Sequence, residues 1–295
     1  MNKRYLTKSR FKEGLECPTK LYYSKNSDYQ NNQLEDSFLE SLAEGGYQVG
    51  ELAKFLISDN PYIDDITVES LDYVESVKLT NQRLENEEVS IAEPAFLFNN
   101  LFVRVDLLQK KGNVLDIYEV KSKSWGYESV DDQEFKVFIK EYKRGENKGK
   151  RKIDPNWKFY LYDIAFQRYV VRNLFPSMKI NTHLVLADKL SKTSIDGLNQ
   201  FFKISNKNGR KYVEVRRDLN ITELGKLPLK VINVDQVCDF IEKEKIGDNS
   251  FENHIEHLSK LYKQKIRDWK KIDHNCFKCQ YRNDSFFGLK SGFHE

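Results

Sequence analysis

Two β-rich runs separated by a short polar connection are the feature of this chain that most constrains its fold. The runs are 101–108 (LFVRVDLL) and 114–121 (VLDIYEVK), and Gly112 lies between them at a position suited to positive φ. Short aliphatic and β-branched runs on either side of such a connection predict two antiparallel strands. The sequence therefore predicts a β-hairpin.

The second strand of this hairpin carries charge on an apolar face. Because successive strand side chains point to opposite sides, Glu119 and Lys121 project from the same face as Leu115 and Ile117. Ions left unpaired in an apolar layer cost on the order of several kcal/mol, so we expect them to have partners. A bound cation and a polar substrate are such partners.

Asp106 on the first strand completes a candidate metal site. Antiparallel register brings it opposite Ile117 or Tyr118, within one residue of Glu119. Two carboxylates, with water and substrate phosphate at the other positions, suit Mg²⁺ or Mn²⁺. Lys121 would position or deprotonate the attacking water and balance charge in the transition state.

A structural interpretation of the same residues stays open. Asp106 can pair with Arg104 or Lys121, and Glu119 can pair with Lys123, which would give a salt-bridge patch without chemistry.

The spacing of Asp106 and Glu119-Val120-Lys121 resembles the PD-(D/E)XK motif of restriction and RecB-like nucleases, with Arg104-Val105-Asp106 where the family has Pro-Asp. Two further segments resemble the RecB-like members. Glu51, in GGYQVGELA, corresponds to the acidic residue on a preceding helix, with Glu44 as its competitor. Gln167, in YLYDIAFQRY, corresponds to a glutamine that faces the active site, although Val171 replaces the usual tyrosine.

The resemblance implies a restriction-endonuclease-like α/β fold, a mixed β-sheet core flanked by helices that forms one domain over 1–295. It implies a metal-dependent deoxyribonuclease, an exonuclease of repair, recombination or defence. The implied catalytic residues are Asp106, Glu119, Lys121 and Gln167, and the metal would be held at Glu51, Asp106, Glu119 and Val120.

The cysteines suggest a second site. The spacing of Cys276 and Cys279 lets two thiolates bind one metal or cluster, and Cys17 lies near the other terminus. This layout, and the opening LTKSRFKEGLECPTKLYY, resemble RecB-like nucleases of the AddB and CRISPR-associated types and an uncharacterised bacterial family of such nucleases. The resemblance implies that these three cysteines, in segments of about 5–25 and 270–295, hold a [4Fe-4S] cluster.

The fourth ligand of the cysteine site is open. Zinc is the alternative occupant, with His274 as the fourth ligand. Cys238 lies on an apolar helical face, which predicts a buried free thiol. Because 292–295 (GFHE) is typical of an interrupted segment, we expect a longer parent chain to supply the missing cysteine.

The segment 136–152 contains eight Lys and Arg residues and predicts a basic surface loop. Phosphate contact and a solvated charge run both account for such a segment. With a nuclease in view, we expect contacts to DNA from Lys143, Arg144, Lys150, Arg151 and Tyr162.

Composition leaves the partner open. A formal net charge of +3 neither requires nor excludes nucleic acid. No apolar run suits a membrane span or a signal peptide, so we expect a cytoplasmic protein, with a helicase or a defence or repair protein as a further partner. The rival function is a nucleic-acid-binding module that keeps the metal or cluster site and does not cut.

The rest of the chain predicts alternating helices and strands. We expect helices over 7–23 with a break near Pro18, over 35–55 with a bend or split at Gly45 and Gly46, over 157–175 and within 237–269, and strands within 66–79, 89–98, 183–187, 212–215 and 229–234.

Overall fold

The structure, a computed structural model, describes residues 3–32, 37–128, 133–145, 148–207 and 210–282, with the side chains of 37–44, 133–134, 207 and 210 left aside. The helices are α1 (Lys8–Glu16), α2 (Lys20–Tyr23), α3 (Ser37–Ala53), α4 (Tyr73–Leu84), α5 (Gln133–Phe138), α6 (Lys158–Leu174), α7 (Ile221–Leu224), α8 (Asp235–Lys243) and α9 (Phe251–Gln264). Short 3₁₀ helices cover Lys54–Leu56, Leu198–Phe201 and His274–Lys278.

The strands are β1 (Leu6–Thr7), β2 (Glu88–Ala92), β3 (Ala95–Phe98), β4 (Leu101–Arg104), β5 (Leu107–Lys111), β6 (Val114–Trp125), β7 (Ile139–Glu141), β8 (Arg151–Ile153), β9 (Lys179–Asp188), β10 (Lys203–Lys207), β11 (Arg210–Glu214), β12 (Leu229–Asn233), β13 (Lys245–Ile246) and β14 (Asn249–Ser250). A five-stranded mixed sheet has the order β12-β9-β6-β5-β2, and a smaller sheet has the order β1-β4-β3. The predicted class, α/β with mixed sheets flanked by helices, is therefore confirmed.

The predicted hairpin is present as β5 and β6. Lys111 pairs with Val114 across a two-residue turn, and Gly112 has a φ of +52° there, which only glycine adopts without strain. The first run is broken, however. Residues 101–104 belong to the smaller sheet, and Asp106 lies at the junction between β4 and β5, so the expectation of one strand over 101–108 is wrong.

β6 is the centre of the large sheet, and helices cover both of its faces. On one face, Leu115 and Ile117 join the largest hydrophobic cluster together with residues of α6. On the other face, Val120 packs with Val185 and with Ala53 of α3. A parallel neighbour of β6, strand β9, is reached through α6, as a parallel pair requires a crossover.

The N-terminal segment is anchored against this core. β1 pairs in parallel with β4, with Thr7 opposite Phe102, and the Thr7 hydroxyl accepts a hydrogen bond from the backbone N–H of Arg10 to cap α1. The ring of Phe11 stacks on Phe166 at 4.4 Å. Gly14 permits close approach of α9, because a Cβ there would lie 2.8 Å from a methyl carbon of Leu258.

Several sequence predictions need correction. Most of 66–79 is not strand: it holds a single bridge at Thr67 and then α4, whose N-terminus is capped by Asp72. The helix α3 runs through Gly45 and Gly46 without a split. The basic segment 136–152 is largely the end of α5 and the β7–β8 hairpin, and the helical stretch within 237–269 is interrupted by the β13–β14 hairpin.

The other predicted elements are confirmed. α1 and α2 are separated at Cys17 and Pro18, α6 matches the predicted helix, and the strands predicted within 89–98, 183–187, 212–215 and 229–234 are all present. Across the part of the chain that the structure describes, no helix is both long and apolar enough to cross a bilayer.

Candidate active site

The carboxylates of Asp106 and Glu119 converge on one point beside β6. The Asp106 Oδ2 atom accepts a hydrogen bond of 2.7 Å from the backbone N–H of Val120, which ties the β4–β5 junction to the strand that carries Glu119. The side chain of Glu119 is fully buried, whereas that of Asp106 is 23% exposed. The predicted proximity of the two acids is therefore present.

A cation from a distant segment contacts both acids. The Lys8 Nζ atom lies 3.0 Å from Asp106 Oδ1 and 3.1 Å from Glu119 Oε2. Sequence reasoning did not select Lys8, because it is separated from Asp106 by 98 positions and carries no local motif.

Lys121 and Gln167 also contact Glu119. The Lys121 ammonium forms an ion pair with Glu119 Oε1, and the Gln167 Nε2 atom donates a hydrogen bond of 2.7 Å to Glu119 Oε2. Gln167 is fully buried on α6. The four residues predicted to be catalytic, Asp106, Glu119, Lys121 and Gln167, thus lie together.

A third carboxylate, which the sequence prediction missed, borders this group. Asp163 is fully buried, and its Oδ2 atom lies 3.4 Å from the Lys12 ammonium and 3.5 Å from the Lys121 ammonium. Asp163 precedes Gln167 by one helical turn, so both lie on the same face of α6. That spacing was the available signal for its place in the site.

The charges of the site act on one another. Burial raises the pKa of Asp106, and the Glu119 carboxylate adds to the rise. Burial alone would raise the pKa of Glu119 as well, but the Lys121 and Lys8 ammonium groups outweigh it and hold that pKa well below its usual range. Burial would lower the pKa of Lys121, but the Glu119 carboxylate dominates and raises it. These carboxylates therefore favour the charged form of Lys121.

Asp106 and Lys121 line a cavity of about 800 Å³. Glu51 lines it together with Asp106 and Lys121, but its carboxylate is engaged by the Tyr62 hydroxyl at 2.6 Å and by Lys54 at 2.7 Å. The side chain of its competitor Glu44 lies outside the described residues.

Glu93 lines the same cavity and was not predicted. Its backbone N–H donates to the carbonyl of Asp106 at 2.9 Å, and its φ of +57° is unusual for a residue with a side chain. Burial, together with the Asp106 carboxylate, raises the pKa of Glu93 to about 7.

The chemistry of the donors fits a hard divalent ion. Within the described ranges, no three His, Cys, Asp or Glu side chains form a ready metal-binding group. Mg²⁺, however, commonly takes only one or two protein carboxylates and completes its shell with water and phosphate. The pair Asp106 and Glu119 already attracts a cation, since an ammonium contacts both.

The three predicted cluster ligands line one other cavity, of about 660 Å³. Cys17 reaches it from the end of α1, and Cys276 and Cys279 reach it from the 3₁₀ helix near the other end of the chain. The two segments contact each other at this cavity: the Lys20 ammonium donates to the side-chain oxygen of Gln280 at 3.3 Å. Burial raises the pKa of Cys279.

The remaining candidates for a fourth ligand are not in this cavity. His274 is exposed and does not line it. Cys238 is fully buried in α8, where the Thr182 hydroxyl donates to its sulfur at 3.6 Å, so the prediction of a buried free thiol is confirmed. Residues 292–295, on which the expectation of a longer parent chain rests, lie outside the described residues.

The predicted nucleic-acid contacts divide into two groups. Lys143, Arg144, Lys150 and Arg151 are exposed on or beside the β7–β8 hairpin. Tyr162, in contrast, is only 7% exposed and packs near Phe251, which argues against the predicted contact.

No family model matches this chain, and no curated protein is significantly similar to it in sequence.

Proposed function

We propose that this protein is a divalent-metal-dependent nuclease that hydrolyses phosphodiester bonds of DNA, built on a restriction-endonuclease-like arrangement of β5, β6 and α6. The observation that carries the proposal is the convergence of Asp106, Glu119, Lys121 and Gln167 on one buried point. A salt-bridge patch is the weaker interpretation, because a structural pair gains little from burying a carboxylate completely among several charges.

Asp106 and Glu119 are the residues that would hold Mg²⁺ or Mn²⁺, with the neighbouring Val120 backbone and, after release from Tyr62, Glu51 as further ligands. When bound, such an ion polarises the phosphate and lowers the pKa of an attacking water. The hydrogen bond from the Val120 N–H and the one from Gln167 fix the orientation of the two carboxylates.

Lys121 supplies a fixed positive charge to this reaction. Its side chain is 20% exposed and lines the cavity, so it can face both Glu119 and a phosphate that enters from solvent. Charge that develops on the phosphate oxygens in the transition state is stabilised by such a preorganised cation. Gln167 acts on Glu119 from the buried side and is a positioning residue.

The test is cleavage of linear and circular DNA with Mg²⁺ or Mn²⁺. Wild type is compared with Asp106→Ala and Lys121→Ala, and both variants are expected to lose at least about a hundredfold in rate. Two matched controls lie on the same strand: Asp116→Ala, which removes a carboxylate on the opposite face, and Lys123→Ala, whose ammonium lies over the Trp157 ring.

Equal, metal-independent cleavage by all five proteins would overturn the proposal. Absence of cleavage with retained DNA binding would favour the rival function, a nucleic-acid-binding module that does not cut. The exposed basic hairpin β7–β8 is compatible with either. Preference for linear over circular DNA would identify an exonuclease.

We also propose that Cys17, Cys276 and Cys279 hold a metal group, a [4Fe-4S] cluster with zinc as the alternative. The three thiols line one cavity, and the ammonium of Lys20 lies near Cys17 and Cys279. Anaerobic preparation, visible absorbance and metal analysis test this. Iron with a thiolate-to-iron band supports the cluster, a colourless protein with one zinc per chain supports zinc, and metal-free protein contradicts both.

A further inference from the structure

Lys8 makes the contacts that a bound metal ion would make. Its ammonium is within 3.1 Å of one oxygen of Asp106 and one oxygen of Glu119. The remaining oxygens have further partners: Asp106 Oδ2 accepts from the Val120 N–H, and Glu119 Oε1 pairs with Lys121 and also lies 3.4 Å from the Lys8 ammonium. One oxygen of each carboxylate is therefore held closely by a cation that belongs to the chain.

The backbone that carries Lys8 is fixed, whereas its side chain is partly exposed. Lys8 is the first residue of α1, directly after the strand residue Thr7, which pairs with Phe102 and caps the helix. The side chain is 23% exposed. A flexible four-carbon stem lets its ammonium leave the carboxylates without any change in the sheet or the helix.

We propose that Lys8 is a tethered cation that occupies the Asp106–Glu119 pair until a divalent ion displaces it, and so sets the affinity of the site for metal. The two cations exclude each other because they use the same two oxygens. Without Lys8, the metal-free site would hold two converging carboxylates with less compensation, which is costly in a buried setting. With Lys8, metal binding must first break its two contacts, so the apparent affinity for metal falls.

The inference rests on the proposed function, and Mn²⁺ alone is the probe that separates the two. Mn²⁺ binding is measured by calorimetry for wild type, Lys8→Met and Asp106→Ala. Arg10→Met is the matched control, since it removes a positive charge from the same helix at a residue that pairs with Glu13. Lys8→Met is expected to bind Mn²⁺ at least about tenfold more tightly than wild type, and Arg10→Met to bind it as wild type does.

A second measurement uses the wild-type chain and does not depend on how Lys8→Met folds. Amine acylation of Lys8 is followed by mass spectrometry with and without Mg²⁺. We expect severalfold faster acylation with Mg²⁺, because the displaced ammonium becomes accessible, and an unchanged rate at Lys78, which lies on α4 and is well exposed.

The outcomes separate the two proposals. Mn²⁺ binding of equal strength in wild type and Lys8→Met, with no effect of Mg²⁺ on acylation of Lys8, overturns this inference and leaves the nuclease proposal intact. If the wild-type chain binds no Mn²⁺, or binds it no better than Asp106→Ala does, both proposals are overturned.

Discussion

Asp106 lies directly before the β5–β6 hairpin that carries Glu119, whereas Cys17 and Cys276 come from distant parts of the chain, one at the end of α1 and one within a short 3₁₀ helix. The first pair is positioned by a ladder of backbone hydrogen bonds that is independent of any ligand. The second depends on side-chain and loop contacts between two segments. We therefore expect the acidic site to keep its geometry without metal, and the cysteine site to depend on its occupant.

The largest expected effect concerns Glu119→Gln. Loss of the buried charge removes a proposed metal ligand and leaves the Lys8 and Lys121 ammonium groups with one fewer carboxylate partner, so activity should fall on the order of 10²–10³-fold. Stability in EDTA should fall by about 3–5 kcal/mol, measured by urea unfolding. Asp116→Asn on the opposite face is the control and should cost less than about 1 kcal/mol. Similar losses in both variants would contradict a special role for Glu119.

The double variant Cys276→Ser with Cys279→Ser tests whether the two regions are independent. It should lose the proposed iron or zinc. The free energy of unfolding should fall by about 2–3 kcal/mol, because the metal group would then no longer join the two segments. Mn²⁺ binding at the acids should remain within about threefold of wild type. Metal analysis and calorimetry check both statements, and loss of Mn²⁺ binding would show that the regions form one unit.

Glu93 gives the acidic region a pH dependence. Its folded pKa of about 7 exceeds the ordinary value of 4.5, so between these values the folded protein binds a proton that the unfolded chain has lost. Stability therefore falls as pH rises from about 4.5 to 7, by roughly 1–3 kcal/mol. Glu93→Gln in EDTA should remove this part of the pH dependence of the free energy of unfolding. An unchanged dependence in urea unfolding between pH 4.5 and 7 would contradict this role of Glu93.

The smallest effect is expected for Cys238→Ala. This thiol is buried against Thr182, apart from the cavity of the other cysteines. Its removal should cost about 1 kcal/mol and leave the metal content unchanged. A drop in bound iron or zinc would place Cys238 among the ligands and weaken the contrast between the two regions.

The sequence alone predicts those elements in which the periodicity of apolar side chains determines the geometry. Alternation along β6 was sufficient to place Glu119 and Lys121 with Leu115 and Ile117, and α6 was predicted nearly to the residue because its apolar face is long and Pro176 follows it. The prediction of a strand within 66–79 is wrong, because the apolar residues there alternate only loosely. Asp72 instead caps the N-terminus of a helix.

Contacts between distant segments could not be predicted in this way. Nothing in the residues around Lys8 indicates that β1 pairs with β4, and that pairing is what brings Lys8 to the acids. Glu93 likewise enters the site through a left-handed backbone conformation that no residue pattern signals. The expected DNA contact of Tyr162 fails for the same reason, because Tyr162 is buried near Phe251 of α9, which is distant in the sequence.

The crossover from β6 through α6 to β9 has a consequence for the newly synthesised chain. Translation as far as Trp125 yields Asp106 and the β5–β6 hairpin with Glu119. Helix α6, which carries Gln167 and covers the apolar face of β6, has not yet emerged. Because parallel pairing with β9 must wait for a further 63 residues, up to Asp188, the site is completed late. The ribosome-bound fragment thus carries Asp106 and Glu119 without the glutamine that positions Glu119, and the proposed hydrolytic activity would arise only after most of the domain has been made.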